Sequence, residues 1–213
     1  MTPERIGRQQ PLADADLLAQ QDALQEAARA VLADLNLVRL LEPVGRPVVV
    51  GSAALGLMVW RDIDFNVMCD ELDADRVFAA VRPLAIHPCV NRLRFANECG
   101  SFNDTGRPEA EGYYWGVHYF AGGTLAGDRW KIDVWFLPHG SPRPEFTLIE
   151  RCARELTPET RHAILRIKDA WYQDPEYRRT ILSVDIYDAV LDHGIRTPAA
   201  FADYLRERDK DTG

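Results

Sequence analysis

The sequence predicts an α/β (α+β) fold, a mixed β-sheet flanked by helices and followed by a helical C-terminal domain. Three observations carry this. The stretch VVVGSAALGLMVWRDIDF, residues 48–65, joins an apolar strand through a Gly51-Ser52 turn to a second strand opening at Asp62. Residues 92–97, 113–120 and 130–137 are rich in β-branched and aromatic side chains and lie between Gly-rich breaks, which predicts three further strands. The run from Pro138 to Pro144, PHGSPRP, is the clearest punctuation in the chain, and beyond it the pattern is helical. Two domains follow, residues 1–140 with an N-terminal helix and a sheet, and residues 141–213, all helical.

Taken in order, residues 14–41 place Leu17, Leu24, Val31, Leu32 and Leu35 at near-helical intervals, which predicts one amphipathic helix packed on the sheet. Residues 48–50 form a buried strand, 53–58 a short helix after the turn, and 62–68 a second strand. A helix over 73–81 leads to Pro83. In the tail, helices are expected over 158–172, 175–192 and 197–208; the first and last open with Thr-Pro, a cap followed by proline at the first helical position. The polar loop ECGSFNDTGRPEAEG, residues 98–112, is a place for acceptor recognition or a plain connection.

At 213 residues the chain can bury a substantial core. Its net charge of -8 argues against a long phosphate-tracking groove and suits a small, cationic substrate. Cys69, Cys89, Cys99 and Cys152 show no C-x-x-C spacing, and the polar N-terminus has no apolar leader, so reduced thiols in a cytoplasmic protein are expected. The longest apolar run, residues 48–60, is shorter than the ~20 residues a membrane span needs.

The chemistry concentrates in Asp62-Ile63-Asp64. On a strand, residues i and i+2 share a face, so both carboxylates point one way while Ile63 and Phe65 point the other. The strand at Trp130 alternates too, with Ile132, Val134 and Phe136 on one face and Lys131, Asp133 and Trp135 on the other. If the two strands are neighbours, three carboxylates converge. Two like charges at 4 Å repel by about 4 kcal/mol at an effective dielectric of 20, so the trio calls for a divalent cation, and hard oxygen ligands favour Mg²⁺. GSAALGLM lacks the G-K-[ST] ending of a P-loop, and its glycines make no G-x-G-x-x-G. Gly51-Ser52 still lets a phosphate oxygen approach the backbone at a helix start.

The pattern of an apolar strand, Gly-Ser, nine residues, Asp-Ile-Asp and a later Ile132-Asp133-Val134 resembles the DNA polymerase β-type nucleotidyltransferase superfamily, including its bacterial small-molecule and toxin-like members. The resemblance implies a nucleotidyltransferase fold in which Gly51 and Ser52 hold the β- and γ-phosphates of an NTP. Asp62 and Asp64 would bind two Mg²⁺ ions, and Asp133 would be the third, catalytic carboxylate. It implies transfer of a nucleoside monophosphate to an acceptor hydroxyl with release of pyrophosphate. A small-molecule acceptor is favoured; tRNA or a protein side chain is the alternative, as is a nucleotide-binding module without turnover.

In the tail, Lys168 sits one step aside from a stripe of Ile164, Ile167 and Trp171, placed either to reach a cleft or to snorkel beside the core. Asp188 is expected in an apolar helical stripe with Ile181, Val184 and Leu191, paired with Arg178, Arg179 or Lys168. Lys168 with Asp185-Ile186-Tyr187-Asp188 is loosely similar to tail signatures of the same enzymes, which implies that Lys168 neutralises the triphosphate and that Asp185 or Asp188 touches the acceptor. Arg161, Arg166, Lys168, Arg178 and Arg179 make a basic helix that keeps RNA open. Trp115, Tyr119, Trp130 and Trp135 are aromatics for base stacking or for sheet packing, and His118 is a further candidate.

Overall fold

The computed structural model describes residues 14–103, 111–140, 143–177 and 179–211. Residues 1–13, the centre of the 98–112 loop, Ser141-Pro142, Arg178 and residues 212–213 lie outside the described residues. Two compact units form: one spans residues 23–154, and the other joins the chain up to Asp22 with residues 155–213. By this grouping the helix after the PHGSPRP punctuation, α5 (Pro144–Glu155), goes with the sheet through Arg154.

In the sheet unit five strands stand in the order β1-β2-β5-β4-β3: β1 (Arg46–Val50), β2 (Asp62–Cys69), β3 (Val90–Asn97), β4 (Tyr113–Phe120) and β5 (Arg129–Pro138). β2 and β5 are parallel and every other pair is antiparallel, so the sheet is mixed as the sequence predicts. Alternation assigns the faces. Ile63, Phe65 and Val67 of β2, Ile132, Val134 and Phe136 of β5, and Val117 of β4 are all at most 1 % exposed and meet one core. Helices cover that face. Leu24, Ala28 and Val31 of α1 (Asp14–Asp34), Leu37 and Leu41 of α2 (Leu37–Leu41), and Val77, Val81 and Leu84 of α4 (Ala74–Ala85) belong to the same cluster. The five-residue helix α3 (Gly51–Leu55) ends at Gly56 in the left-handed region, φ 64°.

Two local details differ from the sequence expectation, and a third decides between its alternatives. The single helix expected over 14–41 breaks at Asn36, whose φ of 47° is left-handed, and the turn lets both Leu35 and Leu37 enter the core. α4 is capped by Asp73, whose side chain accepts from the Arg76 N–H, and runs through Pro83 to Ala85. Proline falls in the last turn, and burial of Leu84 holds that turn on the sheet. Trp115, Tyr119 and Trp130, for which the sequence leaves base stacking or sheet packing open, are 6 %, 6 % and 1 % exposed and pack in the core; of the four aromatics only Trp135 stands on the carboxylate face.

The helical unit contains α6 (Pro158–Trp171), α7 (Ser183–Leu191) and α8 (Pro198–Asp211). Both Thr-Pro starts are caps: Thr157 accepts from Thr160 N–H and Thr197 from Ala200 N–H, each at 3.2 Å. The helix expected from residue 175 begins only at Ser183, because Asp185 turns back to accept from Leu182 N–H at 2.6 Å and fixes the start there. Its buried side is Ile186, Tyr187, Ala189 and Val190, so Asp188 is half-buried beside that face and not part of an apolar stripe with Ile181 and Val184. Among the described residues no helix is long and apolar enough to cross a membrane.

Asn36 tolerates the left-handed region because its short polar side chain can, whereas a β-branched residue cannot. Asn36→Val is expected to destabilise the sheet unit by about 1–2 kcal/mol and Asn36→Gly to leave it nearly unchanged, as read from urea unfolding midpoints.

Candidate active site

Strand pairing builds the site. β2 lies parallel to β5 with Asp64 opposite Asp133 and Asp62 opposite Lys131, so the Asp-x-Asp pair and the third carboxylate meet on the face away from the core. One carboxylate oxygen from each of Asp62, Asp64 and Asp133 lies within 4.8 Å of the others. The structure therefore brings together the three acids that the sequence singles out.

Two neighbours orient the cluster. Lys131 ion-pairs with Oδ2 of Asp133, and its Nζ lies 3.9 Å from Oδ1 of Asp62, so one ammonium bridges acids from two strands. Tyr114 on β4 donates its hydroxyl to Oδ1 of Asp133 at 2.8 Å. Burial first, and then the hydrogen bond to Asp133, push the Tyr114 phenol well above its ordinary range, so it stays a donor. Gly116 makes this contact possible. It stands directly opposite Asp133, and a Cβ there would come within 2.7 Å of the Tyr114 hydroxyl.

On the other flank, Gly51 follows β1 and opens α3 beside Asp64. Its φ is +63°, and a Cβ would sit 2.5 Å from Asp64 Oδ2. Only glycine meets both the conformation and the approach. Ser52 is buried at 8 % exposure at the start of α3.

The donor set fits a hard divalent cation. Three carboxylates offer oxygen atoms already gathered within 4.8 Å, and octahedral Mg²⁺ spans about 4 Å between opposite ligands at 2.0–2.1 Å each. With one ammonium among three acids the cluster keeps excess negative charge, which a divalent ion neutralises.

The remaining candidates belong to the helical unit. Lys168 belongs to the helical unit, where it is 1 % exposed, so its whole length is buried and it does not snorkel to solvent. Its ammonium donates to the Tyr187 hydroxyl at 3.3 Å and lies 5.6 Å from that ring. Asp185 caps α7 and accepts from Arg208 at 2.6 Å. The basic helix is not continuous: Arg166 donates to the Arg196 carbonyl, Arg179 pairs with Glu176 in a turn before α7, and Lys168 is inside. Lys131, Tyr114 and Gly116 received no role in the sequence reading. Strand parity places Lys131 on the face of Asp133, but the part played by β4 requires its register against β5.

No family model matches the chain, and no curated protein is similar to it. Solved structures are. A study of the structural plasticity of Cid1 as an RNA terminal uridylyl transferase gives a chain that superposes with a TM-score of 0.57 at 16 % identity, over 84 % of this chain and 50 % of that one. A cytoplasmic RNA terminal U-transferase matches with a TM-score of 0.54 at 16 % identity, over the same 84 % and 50 %. Cid1 in complex with the UTP analogue UMPNPP gives 0.51 at 14 % identity, over 75 % and 45 %. The chain thus spans about half the length of the solved chains it matches.

Two substitutions test this geometry. Gly51→Ala is expected to cost about 1–2 kcal/mol in unfolding free energy and to displace Asp64, which a crystal structure of the variant would show directly. His118, on the carboxylate face, is held below its ordinary 6.5 by burial first and then by Arg129, Arg92 and Lys131. The folded state thus binds its proton more weakly than the unfolded state, and stability rises with pH up to about 6.5. His118→Gln is expected to flatten that rise in a pH series of thermal melts.

The five-stranded mixed sheet, with helices on one face and the Asp62, Asp64 and Asp133 cluster on the other, is the nucleotidyltransferase fold that the Gly-Ser and Asp-Ile-Asp pattern predicts.

Proposed function

We propose that the chain is a metal-dependent nucleotidyltransferase that moves a nucleoside monophosphate from an NTP to an acceptor hydroxyl and releases pyrophosphate. The convergence of Asp62, Asp64 and Asp133 beside Gly51 carries this reading. The nucleotidyltransferase identity of the superposed proteins supports it. Asp62, Asp64 and Asp133 would hold Mg²⁺, with two ions expected. Bound there, Mg²⁺ would supply charge neutralisation at the phosphoryl oxygens and lower the pKa of the attacking hydroxyl.

The protein's own residues do the rest by position. Gly51 lets Asp64 pack against the chain at the turn into α3, and buried Ser52 would offer a hydroxyl and a backbone N–H to the β- and γ-phosphates there. Asp133 is the acid placed to accept the acceptor's proton, with its carboxylate plane fixed by Tyr114 on one oxygen and Lys131 on the other. Such a site works by preorganised charge and alignment, as phosphoryl transfer requires. The acidic net charge favours a small-molecule acceptor, whereas the superposed enzymes act on RNA; the choice turns on the face of the sheet next to the acids.

Titration of Mg²⁺ and each NTP into the wild type and into Asp62→Asn/Asp64→Asn, read by thermal shift and calorimetry, tests the reading. One NTP is expected to stabilise the wild type only with Mg²⁺, by about 2.7 kcal/mol at a hundredfold excess over Kd, and the folded double variant is expected to lose the effect. A folded wild type that binds no NTP with Mg²⁺ would overturn it.

A further inference from the structure

The carboxylate face of the sheet does not end at the acids. Across β5, β4 and β3 the register sets out two rows: Lys131, His118 and Arg92 in one, Asp133, Gly116 and Arg94 in the next. Arg129, two residues before Lys131, shares their face. Arg92, Arg94 and Arg129 are exposed, and among the described residues none of the three has an ion-pair partner. In a chain of net charge -8 this is an unbalanced local excess of positive charge, and its effect is felt at His118, which both Arg92 and Arg129 disfavour as a cation. Beside the arginines on the same face, Tyr114 and Trp135 pair across β4 and β5 with ring centroids 5.0 Å apart.

Position tells which substrate meets this surface. Gly51 and Ser52 follow β1, on one flank of the acids, and the proposed triphosphate contacts lie there. Arg92 and Arg94 lie on the opposite flank, on β3, with Arg94 two strands from Asp133, roughly 10 Å at the usual strand spacing, and Arg129 stands on β5 four residues before Asp133. Guanidinium groups beside aromatic rings suit a phosphodiester backbone with stacked bases, while a cationic sugar would be repelled. We infer that the β3–β4 side of the sheet is the acceptor surface and that the acceptor is a single-stranded nucleic-acid end, its backbone phosphates held by Arg92, Arg94 and Arg129 and its terminal hydroxyl directed to Asp133.

This inference rests on the nucleotidyl-transfer reading for the role of the hydroxyl, but the binding surface is testable without turnover. Fluorescein-labelled ten-nucleotide ribo- and deoxyribo-oligomers are titrated into the full chain and into Arg92→Ala/Arg94→Ala, with anisotropy read between 50 and 300 mM KCl and Mg²⁺-NTP binding measured alongside. The wild type is expected to bind at low salt, and the double variant at least tenfold more weakly. The variant's slope of log K against log salt should be smaller by about 1.4, two phosphate contacts at ~0.7 each. Comparing the two oligomers separates RNA from DNA. Arg39→Ala, an exposed arginine on α2, is the control and should leave oligomer binding unchanged. A wild type that binds Mg²⁺-NTP but no oligomer, or binds oligomers equally well after loss of Arg92 and Arg94 with its fold intact, overturns the inference. So does transfer to an aminoglycoside that is insensitive to those arginines. Arginine-dependent oligomer binding by a chain that binds no Mg²⁺-NTP upholds the surface and rejects the transferase reading instead.

Discussion

The parallel pairing of β2 with β5 sets Asp64 directly against Asp133 and Asp62 against Lys131, and much of the site follows from that one register. Like charges gathered this closely oppose folding unless something offsets them. The protein offsets part of the repulsion internally. Lys131 bridges Asp133 and Asp62, and Tyr114 donates to the remaining oxygen of Asp133. A one-residue slip of either strand would turn the acids into the core and Ile63 or Ile132 outward, so burial of the apolar face fixes the chemistry of the polar one.

Two glycines serve this cluster from opposite sides, each for a different reason. Gly51 combines a left-handed backbone with close approach to Asp64, whose carboxylate fills the space a side chain would need. Gly116 has no conformational demand of that kind; it yields the space into which the Tyr114 hydroxyl reaches to meet Asp133. Glycine in a strand interior is normally a weakness, and here it marks a close approach. Asp64 is thus packed against the Gly51 turn on the β1 side, and Asp133 is buttressed by a tyrosine on the β4 side.

The sheet faces divide the labour. Helices α1, α2 and α4 seal one face around a core of aliphatic and aromatic side chains, and the other face carries every titratable group that the proposed chemistry uses. Across it the charge changes sign from the acids of β2 and β5 to the arginines of β3 and Arg129 of β5. That gradient makes an overall acidic chain compatible with an anionic acceptor, because a substrate responds to the local field and not to the net charge alone. In the helical unit the notable polar groups meet one another: Lys168 with Tyr187, and Asp185 with Leu182 N–H and Arg208.

The sequence by itself determined the strands, the alternation that puts Asp62, Asp64 and Asp133 on a polar face, the Gly-Ser turn, and both Thr-Pro helix starts. These are local properties, written in a period of two for strands and in capping chemistry for helices. It left the aromatics of β4 and β5 between base stacking and sheet packing, because large rings satisfy a core and an open surface equally well in a propensity reading, and burial decides between them. It extended α7 back to residue 175 because nothing in the periodicity shows that Asp185 caps Leu182. Only the tertiary structure decided that Lys131 bridges two acids, that Tyr114 reaches Asp133 over Gly116, and that Arg92 and Arg94 share the acids' face. Each of these depends on which strands are neighbours and in what register, a long-range outcome of packing that no window of sequence contains.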